Sequence, residues 1–301
     1  MKTAWTVLGV IIAALLTTPD SLAAHESPYP RPQLLIEPSK LALPNVAKQY
    51  VILDARDRTK YKHGHVPKAR WVNHEEWSKS FGDGKDVQAW SNRIGGLGIG
   101  SNTKVIVYDD NFTKDAARIW WVLRYWGVHD VRLLNGGWAG WKAGNYPTDE
   151  AETVPTPTTF EAKAHPERLA TKGQLLDSLK NGKLQIVDTR SEKEFCGIEK
   201  LTNKRAGSIP GAKHLEWIDL IDKETQRFKS AADLRKLFEQ AGIALERPTA
   251  THCQSGGRAA VMAFAMELMG AERVSNYYGS WSEWGNADDT PVVPGKAKDK
   301  K

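Results

Sequence analysis

The feature that most constrains this chain is an internal repeat. Val51-Ile52-Leu53-Asp54-Ala55-Arg56, an apolar run ending in Asp-x-Arg, recurs as Gln185-Ile186-Val187-Asp188-Thr189-Arg190. A Gly/Pro turn follows each copy, Gly64-His65-Val66-Pro67-Lys68-Ala69 and then Gly207-Ser208-Ile209-Pro210-Gly211-Ala212. Next comes a second strand, read as buried, running into a helix. In the first copy Val105-Ile106-Val107-Tyr108 leads through Asp109-Asp110 to a helix expected from about 116 to 126. In the second, Thr249-Ala250-Thr251-His252 leads through Cys253 to one expected from about 258 to 269. Leu133-Leu134-Asn135-Gly136-Gly137-Trp138-Ala139-Gly140-Trp141 is finally answered by Tyr277-Tyr278-Gly279-Ser280-Trp281-Ser282-Glu283-Trp284. Matched elements in the same order define two copies of one supersecondary plan.

Short apolar strands alternating with helical stretches, such as 171–179 and 231–240, predict an α/β fold. Each copy becomes a parallel sheet flanked by helices. The 301 residues, 41% of them hydrophobic and 12 of them Trp, suffice for two such cores. The boundaries read as 32–147 for the first domain, 148–165 for a Thr/Pro-rich extended linker, 166–290 for the second domain and 291–301 for a basic tail. The net charge of +6 is interleaved along the chain, and its one dense run, Lys296 to Lys301, reads as a solvated end. No nucleic-acid partner is expected.

Residues 1–23 read as a secretory signal: Lys2, an apolar stretch from Ala4 to Leu16, then Ser21-Leu22-Ala23 before a cleavage point near Ala23. The expectation is export, as to a periplasm. The apolar stretch falls short of the ~20 residues that span a bilayer, so no stable membrane insertion is expected.

Candidate chemistry gathers in Cys253-Gln254-Ser255-Gly256-Gly257-Arg258. Amides at a helix N-terminus after a buried strand favour negative charge. Gly256 and Gly257 let such a loop curl into an anion cradle, and Arg258 adds a cation at its rim. That field favours a thiolate at Cys253, the expected nucleophile. A buried cysteine before a glycine-rich turn would be the inert version of the same segment. The other cysteine, Cys196, reads as a small buried hydrophobe. Three activities fit a cradled cysteine: sulfur transfer, a cysteine-dependent phosphatase or arsenate-reductase-like reaction, and non-catalytic binding of sulfur or a partner. Phosphatase loops place five residues between Cys and Arg. Here there are four, Gln254 to Gly257, a cradle better sized for one sulfur atom. No metal or organic cofactor is implied.

Taken together, these motifs resemble the tandem-domain rhodaneses, sulfurtransferases of the thiosulfate and 3-mercaptopyruvate group, over about residues 32–290. Tyr61 to Ala69 is similar to the family's aromatic-x3-His-aliphatic-Pro-Gly-Ala signature, with Lys68 for the glycine. Val274 to Trp284 is similar to its terminal signature, with Tyr278 at a position where Asp, Glu, Ala or Pro is usual. The resemblance implies that only the second domain is catalytic, that its cysteine becomes a persulfide, and that the first, with Asp109 or Asp110 at the equivalent strand end, carries no sulfur. It implies a small anionic sulfur donor and a thiophilic acceptor, cyanide or a thiol. Glu192, Lys193 and Glu194 stand where the family tends to place a second arginine after Asp-x-Arg, so the donor stays open.

Asp188 and Arg190, matched by Asp54 and Arg56 in the copy lacking a cysteine, are expected to form a strand-end framework rather than a substrate clamp. His252 alternates with Cys253 along the strand and should point to the other side as a supporting residue. The tryptophans at 120, 121, 126, 138, 141, 281 and 284 are expected to pack cores, with Trp281 also a candidate wall of the cleft.

Overall fold

The computed structural model describes residues 29–294. The proposed signal segment and the lysine cluster at the C-terminus lie outside them. The first sheet has five parallel strands, β1 (Leu35–Ile36), β2 (Tyr50–Asp54), β3 (Arg70–Trp71), β4 (Lys104–Tyr108) and β5 (Val131–Leu134), in the order β1-β5-β4-β2-β3. The second has four, β6 (Gln185–Asp188), β7 (Lys213–His214), β8 (Thr249–His252) and β9 (Val274–Asn276), in the order β7-β6-β8-β9 and again all parallel. Leu169 bridges Asn276 beside β9, the place β1 holds beside β5. Each copy is therefore one α/β layer plan built twice.

The register matches the repeat. Asp54 lies opposite Tyr108 and Asp188 opposite His252, so Asp109 and Cys253 leave equivalent strand ends. Parallel strands covered on both faces are apolar throughout, as Val105 to Tyr108 are. The helices that follow, Lys114–Tyr125 and Gly257–Leu268, are buried on nearly every side, because each is sandwiched between its own sheet and the other helix. Trp120 meets Phe264 edge-on, with ring centroids 4.9 Å apart. The two domains thus share one continuous core.

Helix ends follow local capping chemistry. Thr171 caps Lys172–Asn181 in a capping box with Gln174, and Ser230 caps Ala231–Gln240. Residues 148–165, read as an extended connector, carry little regular structure and are strapped down. Thr158, Lys163 and His165 donate backbone hydrogen bonds to Gly95, Trp126 and Tyr125, and Phe160 is buried. Asp149 pairs with His65 and, at the matching place, Val293 pairs with Ser208. Val293 is thereby tied back onto the second domain. Among the described residues no helix is long and apolar enough to cross a membrane.

Candidate active site

Cys253 follows β8 at the C-terminal edge of the second sheet, where open α/β folds place their chemistry. It is buried, with 1% exposure. Its N–H donates to Ser280 Oγ at 3.1 Å, and its Sγ accepts the Gly256 N–H at 3.1 Å. Trp281 and Ser282 donate their backbone N–H groups to the carbonyls of Cys253 and Gln254, clamping the strand end. Gly256 sits at φ +84°, and a Cβ there would lie 2.8 Å from the Tyr278 ring. Asn276 holds the Gly256 carbonyl at 2.9 Å. The loop is thereby fixed with amides turned toward sulfur.

Burial alone would push the Cys253 thiol up. The Arg258 charge, the amides of Ala259 and Ser255, and the Arg118 charge outweigh it, so the thiol lies below its ordinary value. Arg258 does not stand free at the rim. Its two terminal nitrogens donate to Glu194 at 2.6 and 2.9 Å, and Glu194 is itself held in a capping box by Ser191. Burial opposes ionisation of Glu194, but Arg258 and Ser191 prevail and its carboxyl sits below the usual range. The Gln254 amide, counted with the cradle from sequence, is exchanged reciprocally with the Asn203 amide at 3.0 and 3.1 Å.

Asp188 and Arg190 form a closed unit. Arg190 donates to both Asp188 oxygens and to the Gly207 carbonyl, and stacks over Trp281 at 4.2 Å. Asp54, Arg56, Gly64 and Trp138 repeat it in the first domain. Trp281 is 1% exposed and donates to the Arg205 carbonyl, which places it under this framework and out of the cleft. His252 lies on the face away from the helix Gly257–Leu268, its Nε2 3.4 Å from Asp188. Burial lowers its pKa, with Asp188 opposing, so the ring is neutral. Cys196, expected to be buried, is only half-buried, at the C-cap of the short helix Glu192–Phe195.

The equivalent strand end of the first domain is filled from within. The Asp109 carboxylate accepts four backbone N–H groups, from Asn111, Thr113, Asp115 and Ala116, at 2.8 to 3.0 Å. It occupies the nest that a sulfur anion would otherwise take. Burial and the Asp115 charge nevertheless raise its pKa to about 6.

Sequence reasoning did not single out Arg118, through which the first domain reaches the loop. Arg118, from the helix Lys114–Tyr125, donates to the Ser255 carbonyl at 2.7 Å, to Ser78 Oγ at 2.8 Å and to Tyr278 Oη at 3.1 Å. A Cβ on Gly257 would run into its guanidinium, so the second glycine makes room for an arginine from the other domain. The available signal was a charged residue inside the otherwise apolar run from Ala116 to Leu123, where burial demands partners.

The rhodanese-like domain model matches this chain twice, at residues 37–144 and 171–287. The chain belongs to the rhodanese-like family. Thiosulfate sulfurtransferase of Pseudomonas aeruginosa is 33% identical over 266 residues, covering 86% of this chain and 96% of that protein. Human 3-mercaptopyruvate sulfurtransferase is 30% identical over 261 residues, covering 81% of this chain and 88% of that one. The anaerobic ergothioneine biosynthesis enzyme of Chlorobium limicola, at 23% identity, superposes with a TM-score of 0.76 over 89% of this chain and 72% of its own, a likeness of fold. This rhodanese-like chain is thus a rhodanese-type transferase of the sulfurtransferase family, with two tandem domains.

Proposed function

We propose that this rhodanese-like protein moves sulfane sulfur through Cys253, with thiosulfate as the leading donor. The observation that carries the reading is a buried thiol whose Sγ accepts a loop amide beside a cationic helix start. The Cys253 thiolate attacks the outer sulfur of thiosulfate. The S–S bond breaks, its electron pair leaves with sulfite, and Cys253 holds a persulfide. Cyanide or a thiolate then attacks the outer persulfide sulfur, giving thiocyanate or a new persulfide and returning the thiolate. The amides of Ser255, Gly256 and Ala259 stabilise thiolate and persulfide alike, with Arg258 as the nearby cation.

The relatives bearing both the thiosulfate and the mercaptopyruvate names support the reaction class without choosing a donor. Thiosulfate is favoured here because Arg258 is matched by Glu194, which leaves no bidentate partner at that position for a donor carboxylate. Export as the setting rests on residues 1–23 of the sequence alone.

Intact-mass measurement after thiosulfate treatment tests the central step. The protein gains ~32 Da, one sulfur atom, and loses it on adding cyanide, while the Cys253→Ser variant gains nothing. A parent protein that stays at its starting mass overturns the persulfide. A parallel panel with 3-mercaptopyruvate decides the donor.

A further inference from the structure

The peptide group between Ser255 and Gly256 is held at both ends. Its carbonyl accepts from Arg118 at 2.7 Å, and its N–H donates to Cys253 Sγ at 3.1 Å. A trans peptide is planar and its C=O and N–H point in opposite directions, so fixing one end aims the other. We propose that Arg118 is a positioning residue for the sulfur loop: from the first domain it holds the Ser255 carbonyl, and so turns the Gly256 N–H onto the sulfur of Cys253.

Three independent observations carry this inference, which rests on Cys253 being the working nucleophile. First, Arg118 is buried at 9% exposure, and its partners are hydroxyls and a carbonyl: Ser78 Oγ, Tyr278 Oη and Ser255 O. Among the described residues it makes no ion pair, whereas Arg258 is matched by Glu194. The guanidinium therefore brings an unmatched charge to the loop. A cation on a carbonyl oxygen also polarises the peptide and strengthens the hydrogen bond its N–H gives. Second, Gly257 leaves the space that the guanidinium fills. Third, the ring of Tyr278 supports the arrangement. It stacks on Trp121 of the same helix at 5.2 Å, lies beneath the Arg118 guanidinium at 5.6 Å, and closes on Gly256 from the outside. The first domain, which has no cysteine, thereby completes the site of the second.

The charged groups acting on the thiol are Arg258 and Arg118, with Glu194 behind Arg258 and the Asp188–Arg190 pair and neutral His252 on the far face of β8. A titration of Cys253 thus separates the Arg118 effect when only Arg118 is changed. Thiolate ultraviolet absorbance is followed against pH in the full chain, with the Cys253→Ser protein subtracted so that Cys196 and the aromatic residues cancel. In R118M the titration moves up by about one pH unit and kcat with thiosulfate and cyanide falls about tenfold, the KM for thiosulfate changing less. R118K keeps the charge and one donor but cannot bridge Ser255, Ser78 and Tyr278 together, and recovers part of both losses. A folded R118M with the parent's titration and kcat overturns the proposal. If R118M does not fold, a folded R118K with both values of the parent overturns it equally. The titration needs no sulfur donor. A parent that takes up no sulfur while R118M still shifts sinks the sulfurtransfer reading alone; a parent that takes up sulfur while R118M does not shift sinks this inference alone.

Discussion

Arg258 closes the sulfur loop with both terminal nitrogens on Glu194, at 2.6 and 2.9 Å. A residue that sequence places as a free cation is therefore half of a fork-to-fork pair, and its attraction for a donor anion is reduced by the carboxylate behind it.

Replacing Glu194 with Gln should release that attraction. The KM for thiosulfate is expected to fall by about two- to fivefold, and the Cys253 thiol to become more acidic, since an opposing charge has been removed. Steady-state kinetics together with thiol titration check this. An unchanged KM in a folded variant would show that Arg258 does not set donor affinity.

The pH profile of kcat/KM should report a depressed thiol. Its acid limb is expected below the ordinary thiol value of ~8.5, because Arg258, two loop amides and Arg118 outweigh burial. The same shift enters stability. A folded-state pKa below the unfolded one contributes stability that is full above the unfolded value and is lost as pH falls through the folded value. Urea denaturation across this window should show that slope in the parent and lose it in Cys253→Ser.

Gly256→Ala should abolish sulfur transfer while the rest of the fold survives. The residue sits at φ +84°, where a side chain costs ~1 to 2 kcal/mol, and its Cβ would press on Tyr278 at 2.8 Å. The peptide would rotate and take its N–H off the sulfur. Loss of the mass gain with a modest drop in melting temperature is the expected result; full activity would mean that the amide is dispensable.

Asp109→Ala should destabilise the first domain. Four backbone donors lose their acceptor at once, and even partial rehydration leaves a cost of ~2 to 4 kcal/mol. Asp109→Asn keeps one acceptor oxygen and should cost less. Because burial and Asp115 raise the Asp109 pKa to about 6, the stability linked to its proton is present at acid pH and is lost as pH rises through that value. The Asn variant removes this dependence in denaturation curves taken on either side of it.

Trp120→Ala tests the shared core. Trp120 is fully buried against Phe264 of the other domain, so a cost of ~3 to 5 kcal/mol is expected. A smaller cost, with two separate unfolding transitions in place of one, would show that the domains fold independently.

Much of the architecture was legible because it is written in local patterns. Strand apolarity, Gly/Pro turns and helix caps act over a few residues, and the repeat doubled every signal. Aligning the two copies set Asp109 or Asp110 at the strand end equivalent to that of Cys253, and the register of the paired strands gives Asp109. The framework of Asp188 and Arg190 was legible for the same reason, since Asp54 and Arg56 form it again without a cysteine nearby. Less was visible of where polar side chains end up. Gln254 turns to Asn203, Trp281 lies under Arg190, Cys196 keeps part of its surface, and Val293 bridges Ser208. Each of these depends on a partner far along the chain, and no local periodicity names it.

By itself the sequence determined that this protein is two α/β copies with a single cradled cysteine at one of two equivalent strand ends, because backbone conformation and burial patterns are local properties. Only the tertiary structure decided the electrostatics of that cysteine. Packing one buried helix against the other brings Arg118 across the domain boundary to Ser255, and the short helix after β6 brings Glu194 to Arg258. Charges act through space on whatever folding sets beside them, so which of the chain's many arginines touches the sulfur loop is settled by helix packing and not by position in the chain.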